Sequence, residues 1–186
     1  MQNIDENILL FVQGIRWEPL TKLFTFFIPL EIWNITAIIL VFFFFFRTKT
    51  LRVPIVSFVL AKCSSAYCYE ILKHHFHRPR PFLTIKGLVP VITPHGYSSP
   101  SGHATLAMAM AVILAYHFPK ARGWVFTLTI LIGFSRIYFG AHYLSDVLGG
   151  FLLGGILGWL CIFFEQAILS VNKGIKLTGT TQRNPD

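Results

Sequence analysis

From residue 32 onward the chain returns repeatedly to apolar runs that approach the length of a bilayer crossing, and this recurrence restricts its possible folds more than any other feature. With 54% of its 186 residues hydrophobic and 13% charged, it is too apolar for a soluble domain of this size. The pattern predicts an all-α integral membrane protein. Five spanning helices fit, at approximately 31–46, 53–72, 101–117, 124–141 and 146–171. The stretch from Pro19 to Leu30, interrupted by Lys22 and Pro29, is short for a sixth, so the bundle has about five to six transmembrane helices.

Before the bundle, Ile4, Ile8, Phe11, Val12 and Ile15 recur at helical spacing, and Asn3 with Glu6 resembles a capping box. This predicts an amphipathic helix lying in the membrane interface, although an ordinary helix packed under the bundle has the same periodicity. Residues 1–30 thus form an interfacial segment and 31–171 a helix bundle, together one domain over 1–171. The stretch 172–186 is polar and aperiodic, and is expected to be a disordered cytoplasmic tail. No signal-peptide pattern begins the chain.

Basic residues set the orientation. Arg47, Lys49 and Arg52, then Lys120 and Arg122, then Lys173, Lys176 and Arg183 all fall on one side of a five-helix bundle, which becomes the cytoplasmic side. The formal charge of +8 lies in these flanks and in polar clusters, not in a basic stripe, so nucleic acid is not an expected partner. Lys73, Arg78, Arg80 and Lys86 run against the bias on the outer side, as cations holding an anion would. Cys63, Cys68 and Cys161 read as buried free thiols. Gly150, Gly154 and Gly158 form a small-residue ridge on the last helix, suited to close helix packing.

Three polar clusters interrupt the apolar chain: Lys73 with Arg80-Pro81, then Ser98 through His103, then Ser135-Arg136 with His142 and Asp146. Ser101 precedes an apolar run as an N-cap, so the following backbone N–H groups form an anion site, and Gly102 lets an oxygen approach them. His142 and Asp146 are four apart, which on a helical turn lets the carboxylate accept from one ring nitrogen and frees the other as a nucleophile. Lys73, Arg80 and Arg136 map to the same outer face, where guanidinium forks match phosphate oxygens. These are the parts needed to bind a phosphate and attack it.

The order K-x6-R-P, P-S-G-H, S-R-x5-H-x3-D resembles the signature of the type 2 phosphatidic acid phosphatase superfamily, and every position of it is present. It is carried by Lys73, Arg80 and Pro81; by Pro100, Ser101, Gly102 and His103; and by Ser135, Arg136, His142 and Asp146. The resemblance implies that His142 attacks phosphorus, Asp146 orients it, and His103 protonates the leaving oxygen and then activates water. It implies that Lys73, Arg80, Ser101, Gly102 and Arg136 hold the phosphoryl oxygens, with no metal or other cofactor. The expected activity is hydrolysis of a lipid phosphate or pyrophosphate at the outer face of the cell membrane. Undecaprenyl pyrophosphate, phosphatidylglycerophosphate, phosphatidic acid and lipid A phosphates all fit as the membrane lipid substrate. A lipid-to-lipid phosphotransferase and a nonenzymatic lipid-binding protein are the alternatives.

Three side features complete the reading. His74, His75, His77 and His95 crowd near Lys73 but lack a completing Cys or carboxylate, so they are not expected to bind metal. Helical rise puts Lys62 and Glu165 at matching depth, which predicts that they meet or that Lys62 finds another polar group inside the bundle. Glu70, one turn before Lys73, either holds that lysine or faces solvent.

Overall fold

The computed structural model of the protein describes residues 2–27 and 52–181, and among these every regular element is helical. Helices α1 (Gln2–Gly14) and α2 (Glu18–Phe27) precede the bundle helix α3 (Arg52–Phe76). A single turn, α4 (Pro81–Thr84), leads through an irregular loop to α5 (Gly102–His117). A 3-10 turn at Pro119–Ala121 joins α5 to α6 (Arg122–Tyr138), and α7 (Leu144–Thr181) completes the chain. Four of the five predicted spans correspond to α3, α5, α6 and α7, while the first, at 31–46, lies outside the described residues. The backbone stays helical to Thr181, where the sequence suggests a structureless tail from 172. Each residue added to an existing helix gains a hydrogen bond without a new nucleation step.

Helix α5 is the centre, packed against α3, α6 and α7. Most of its buried residues, Gly102, Ala104, Thr105, Ala109 and Ala111, are small, so neighbouring backbones approach closely. The α7 glycine ridge meets it as the spacing predicts: a Cβ at Gly150 would lie 2.7 Å from the Ser101 carbonyl, and one at Gly158 2.7 Å from that of Ala109. On the opposite side of α7, Leu148, Leu152, Ile156, Trp159 and Phe163 form an exposed apolar stripe. Both α7 and the stretch containing α3 are long and apolar enough to cross a membrane.

The α1–α2 corner is pinned to the end of α6. The Tyr138 hydroxyl sits 2.8 Å from Thr21 Oγ1 and accepts from the Trp17 N–H, and its ring meets Phe24 edge-on at 5.3 Å. Helix α1 begins at Gln2, so Asn3 lies inside the first turn instead of capping it. Its buried positions are Asp5, Leu9 and Val12, while Ile4, Phe11 and Ile15 from the predicted apolar face are exposed. Asp5 faces inward because Arg78 pairs with it there and Ser145 donates to it.

Two expectations on α3 need correction. Its buried stripe runs Ser57, Ala61, Ser65, and Lys62 lies about 100° around the helix from Ala61. Glu165 therefore takes other partners: Ser57 Oγ donates to it at 2.5 Å and His117 Nε2 lies 3.2 Å away. Cys63, next to Lys62, is exposed, whereas Cys68 and Cys161 are half-buried, and all three are free thiols.

Candidate active site

The chain runs up α3, down α5, up α6 and down α7, so four helix ends meet at one rim. Lys73 is in the last turn of α3 and Arg80 just before α4. Ser101 is the N-cap of α5, Gly102 and His103 begin it, Arg136 is in the last turn of α6, and Asp146 is in the first turn of α7. His142 occupies the turn between α6 and α7. A cavity of about 140 Å³ opens among these ends, and Lys73, Arg80, Gly102, His103, Arg136 and His142 all line it. Tyr69, Ile92, Pro94, Leu106 and Ala141 supply its apolar walls. Ser101 and Asp146 stand behind that lining, both fully buried.

Hydrogen bonds fix the protonation pattern of His142. Its Nδ1 is 2.7 Å from the Ser98 carbonyl, which can only accept, so Nδ1 carries the hydrogen. Its Nε2 is 3.3 Å from Arg80 Nη1, which can only donate, so Nε2 holds a lone pair facing the cavity's cations. Burial holds the imidazole below its ordinary pKa, with the Arg80 charge adding to that effect and Asp146 opposing it. A neutral ring with an exposed lone pair is the form a nucleophile needs.

Asp146 does not orient that ring by the direct bond the spacing suggests. Its Oδ2 is 3.7 Å from Nδ1, because His142 precedes α7 and does not share its helical geometry. The carboxylate is occupied elsewhere: Oδ1 accepts from Arg78 Nη1 at 2.6 Å, and Oδ2 accepts from Ser98 Oγ and from the Tyr143 N–H at 3.0 Å. It fastens the Ser98 loop and the turn at Tyr143, the two segments that frame His142. Asp146 thus acts on the imidazole through its surroundings.

The cations are held by main-chain oxygens and aromatic faces. Arg80 donates to the carbonyls of Gly96 at 2.9 Å, His95 at 2.8 Å and Ala141 at 3.1 Å. Gly96 has φ +75, which glycine adopts without strain. Arg136 Nη1 donates to His103 Nε2 at 2.9 Å, and its buried Nη2 has no hydrogen-bond partner among the described residues. Lys73 is paired with Glu70 at 3.0 Å and lies 4.7 Å from the Tyr69 ring centroid, while Glu70 itself remains exposed, so it both holds the lysine and faces outward. Ser101 occupies its expected N-cap position, but its buried Oγ makes no capping bond. A Cβ on Gly102 would sit 3.0 Å from the Tyr69 ring. Among the crowded histidines, His74 and His77 meet Tyr97 edge-on and His75 meets Phe76.

Sequence reasoning passed over three participants. Arg78 registered only as a cation on the outer side, Ser98 only as part of a polar run, and Asp5 not at all. The available signal was the burial demand of Asp146: a carboxylate at the start of a packed helix needs a cation, and Arg78 is one turn of loop away from Arg80.

The PAP2 superfamily model matches residues 54–169. A phosphatidylglycerophosphatase B from Bacillus subtilis is 34% identical over 110 residues, covering 53% of this chain and 52% of that protein. An undecaprenyl-diphosphatase from Sulfolobus acidocaldarius is 34% identical over 140 residues, 71% of this chain and 62% of that one. The matched stretches therefore span between half and two thirds of these relatives. The crystal structure of a transmembrane PAP2 type phosphatidylglycerolphosphate phosphatase from Bacillus subtilis superposes with a TM-score of 0.76 at 28% identity, covering 90% of this chain and 87% of that one. With that likeness and its long apolar helices, the chain is a membrane protein. Its three polar clusters converge on one cavity within the matched region, and the chain belongs to the PAP2 superfamily.

Proposed function

We propose that the protein is a membrane phosphatase that hydrolyses a lipid phosphate or pyrophosphate through a phosphohistidine on His142. The carrying observation is one small cavity holding Lys73, Arg80, Arg136, His103 and the unprotonated Nε2 of His142. A cavity of about 140 Å³ suits a phosphoryl group, leaving the lipid chains outside it. The names of the relatives support lipid phosphates and pyrophosphates as the substrate class.

In the first step the Nε2 lone pair attacks phosphorus and the bond from phosphorus to the lipid oxygen breaks. The leaving oxygen takes a proton from His103. His103 Nε2 accepts from Arg136, and a phosphate, as a stronger acceptor for that guanidinium, frees His103 to take up a proton. In the second step His103 accepts a proton from water as the water oxygen attacks phosphorus and the bond to His142 breaks. Lys73, Arg80 and Arg136 stabilise the charge spreading over the phosphoryl oxygens.

The loop from Phe118 to Arg122 lies at the end of α5 and α6 remote from the cavity, and carries Lys120 and Arg122. The positive-inside rule then supports a cytoplasmic position for that end and an outward-facing cavity in the cell membrane. The test is phosphate release from short-chain phosphatidic acid and farnesyl pyrophosphate in detergent with a metal chelator present. Release should persist with the chelator and fall about a thousandfold or more in His142→Ala. Undiminished turnover by that variant would remove His142 as the nucleophile.

A further inference from the structure

Helix α1 reaches the catalytic end through one buried side chain. Asp5 Oδ2 accepts from Arg78 Nη2 at 2.9 Å and from Ser145 Oγ at 2.5 Å, while Oδ1 accepts from the Ser145 N–H at 3.1 Å. The other arm of the same guanidinium, Arg78 Nη1, donates to Asp146 Oδ1 at 2.6 Å and to Ser145 Oγ at 2.7 Å. Its Cζ lies 3.9 Å from the Tyr143 ring centroid. The main chain of Arg78 contributes as well, because its carbonyl accepts from the Ser98 N–H at 2.8 Å. Ser98 is the residue whose own carbonyl holds His142 Nδ1.

We infer that Asp5 and Arg78 are positioning residues for the reaction, a relay by which the N-terminal helix holds Asp146 and the Ser98 loop in the arrangement that orients His142. The inference rests on the phosphatase reading above and adds two residues outside the three motifs. Neither side chain lines the phosphate cavity. Arg78 can grip Asp146 firmly because its fork spans two carboxylates in a fixed plane. Without Asp5, Nη2 loses its anion, and a side chain still 26% exposed is free to swing toward water. Asp146 Oδ1 would then be left buried without its cation.

The relay predicts a charge signature that simple loss of packing does not. The charged groups facing His142 are Arg80 and Asp146, with Lys73, Arg136 and His103 around the cavity and Arg78 and Asp5 behind Asp146. Removing Asp5's negative charge makes that surrounding more positive, so His142 protonates at lower pH. Removing Arg78 does the reverse.

The experiment uses the full chain in detergent, with phosphate release from short-chain phosphatidic acid and the folded fraction measured by circular dichroism. Asp5→Asn should lower kcat about tenfold per folded molecule with KM changed less than about twofold, since binding groups stay in place. Asp5→Glu, which keeps the charge, should recover most of the rate. Asp5→Asn added to Arg78→Ala should lower the rate no further than Arg78→Ala alone. The acidic limb of kcat/KM should move down in pH for Asp5→Asn and up for Arg78→Ala. An Asp5→Asn rate within twofold of the parent, or acidic limbs that move together, overturns the relay while leaving the phosphatase reading intact. A parent protein that releases no phosphate overturns both.

Discussion

Replacing Gly154 by Ala sets two effects of known sign against each other. In a helix interior Ala is favoured over Gly by about 1 kcal/mol. Here, however, the new Cβ would be driven into the Thr105 carbonyl oxygen and to 3.0 Å from the Ala109 nitrogen, both main-chain atoms of α5 that no rotamer change can move. Relief requires α5 and α7 to part by about 1 Å, and overpacking of this kind costs about 1–3 kcal/mol or more. Because only main-chain atoms oppose the new Cβ, the steric cost falls at the upper end of that range, about 3 kcal/mol, which leaves a net loss of about 2 kcal/mol and a fall in Tm of several degrees for a chain of this size. The neighbouring Gly149 has nothing within 4 Å of its virtual Cβ, so Gly149→Ala keeps the helix gain alone and should be neutral or stabilising. The same seam carries the bond from the Ser101 N–H to the Asp146 carbonyl at 3.0 Å, so parting the helices also shifts one motif against another. Thermal unfolding in detergent with parallel phosphate-release assays would report both. Equal Tm for Gly154→Ala and the parent would refute the close-approach argument.

Other consequences are open to direct measurement. Asp146→Asn removes one acceptor from a fully buried group that serves Arg78, Ser98 and Tyr143 together, so it should cost about 2–4 kcal/mol of stability and lower kcat about a hundredfold or more; a variant of parental Tm would contradict the fastening role. The His142 pKa lies below its ordinary value, so the ring stays neutral as pH falls and is lost as a nucleophile only on protonation at lower pH. The acidic limb of kcat/KM, corrected for substrate ionisation, should therefore lie below about 6.5. At the far end of the bundle, Glu165→Ala leaves Ser57 and His117 without their shared acceptor and should cost about 1–3 kcal/mol with KM unchanged, measured by the same unfolding and kinetic assays.

The three motifs were readable because spacing and helix polarity suffice to bring Lys73, His103, Arg136 and His142 to one rim of the bundle. The glycine ridge was readable for a similar reason, since a four-residue repeat marks one face whatever packs on it. What remained hidden depended on azimuth and on loops. Equal depth for Lys62 and Glu165 says nothing about which way each points, and the buried line through Ser57, Ala61 and Ser65 turns Lys62 aside. The four-residue spacing of His142 and Asp146 implies contact only if both are helical, and the turn before α7 breaks that condition. Asp5 gave no signal in the sequence, because its partner lies 73 residues away in a loop.

Arg80 recognises main-chain oxygens at three separate positions, so the identity of the side chains at His95 and Ala141 is immaterial to how the guanidinium is seated. The side chains at these two positions can therefore change without unseating the guanidinium that lines the cavity.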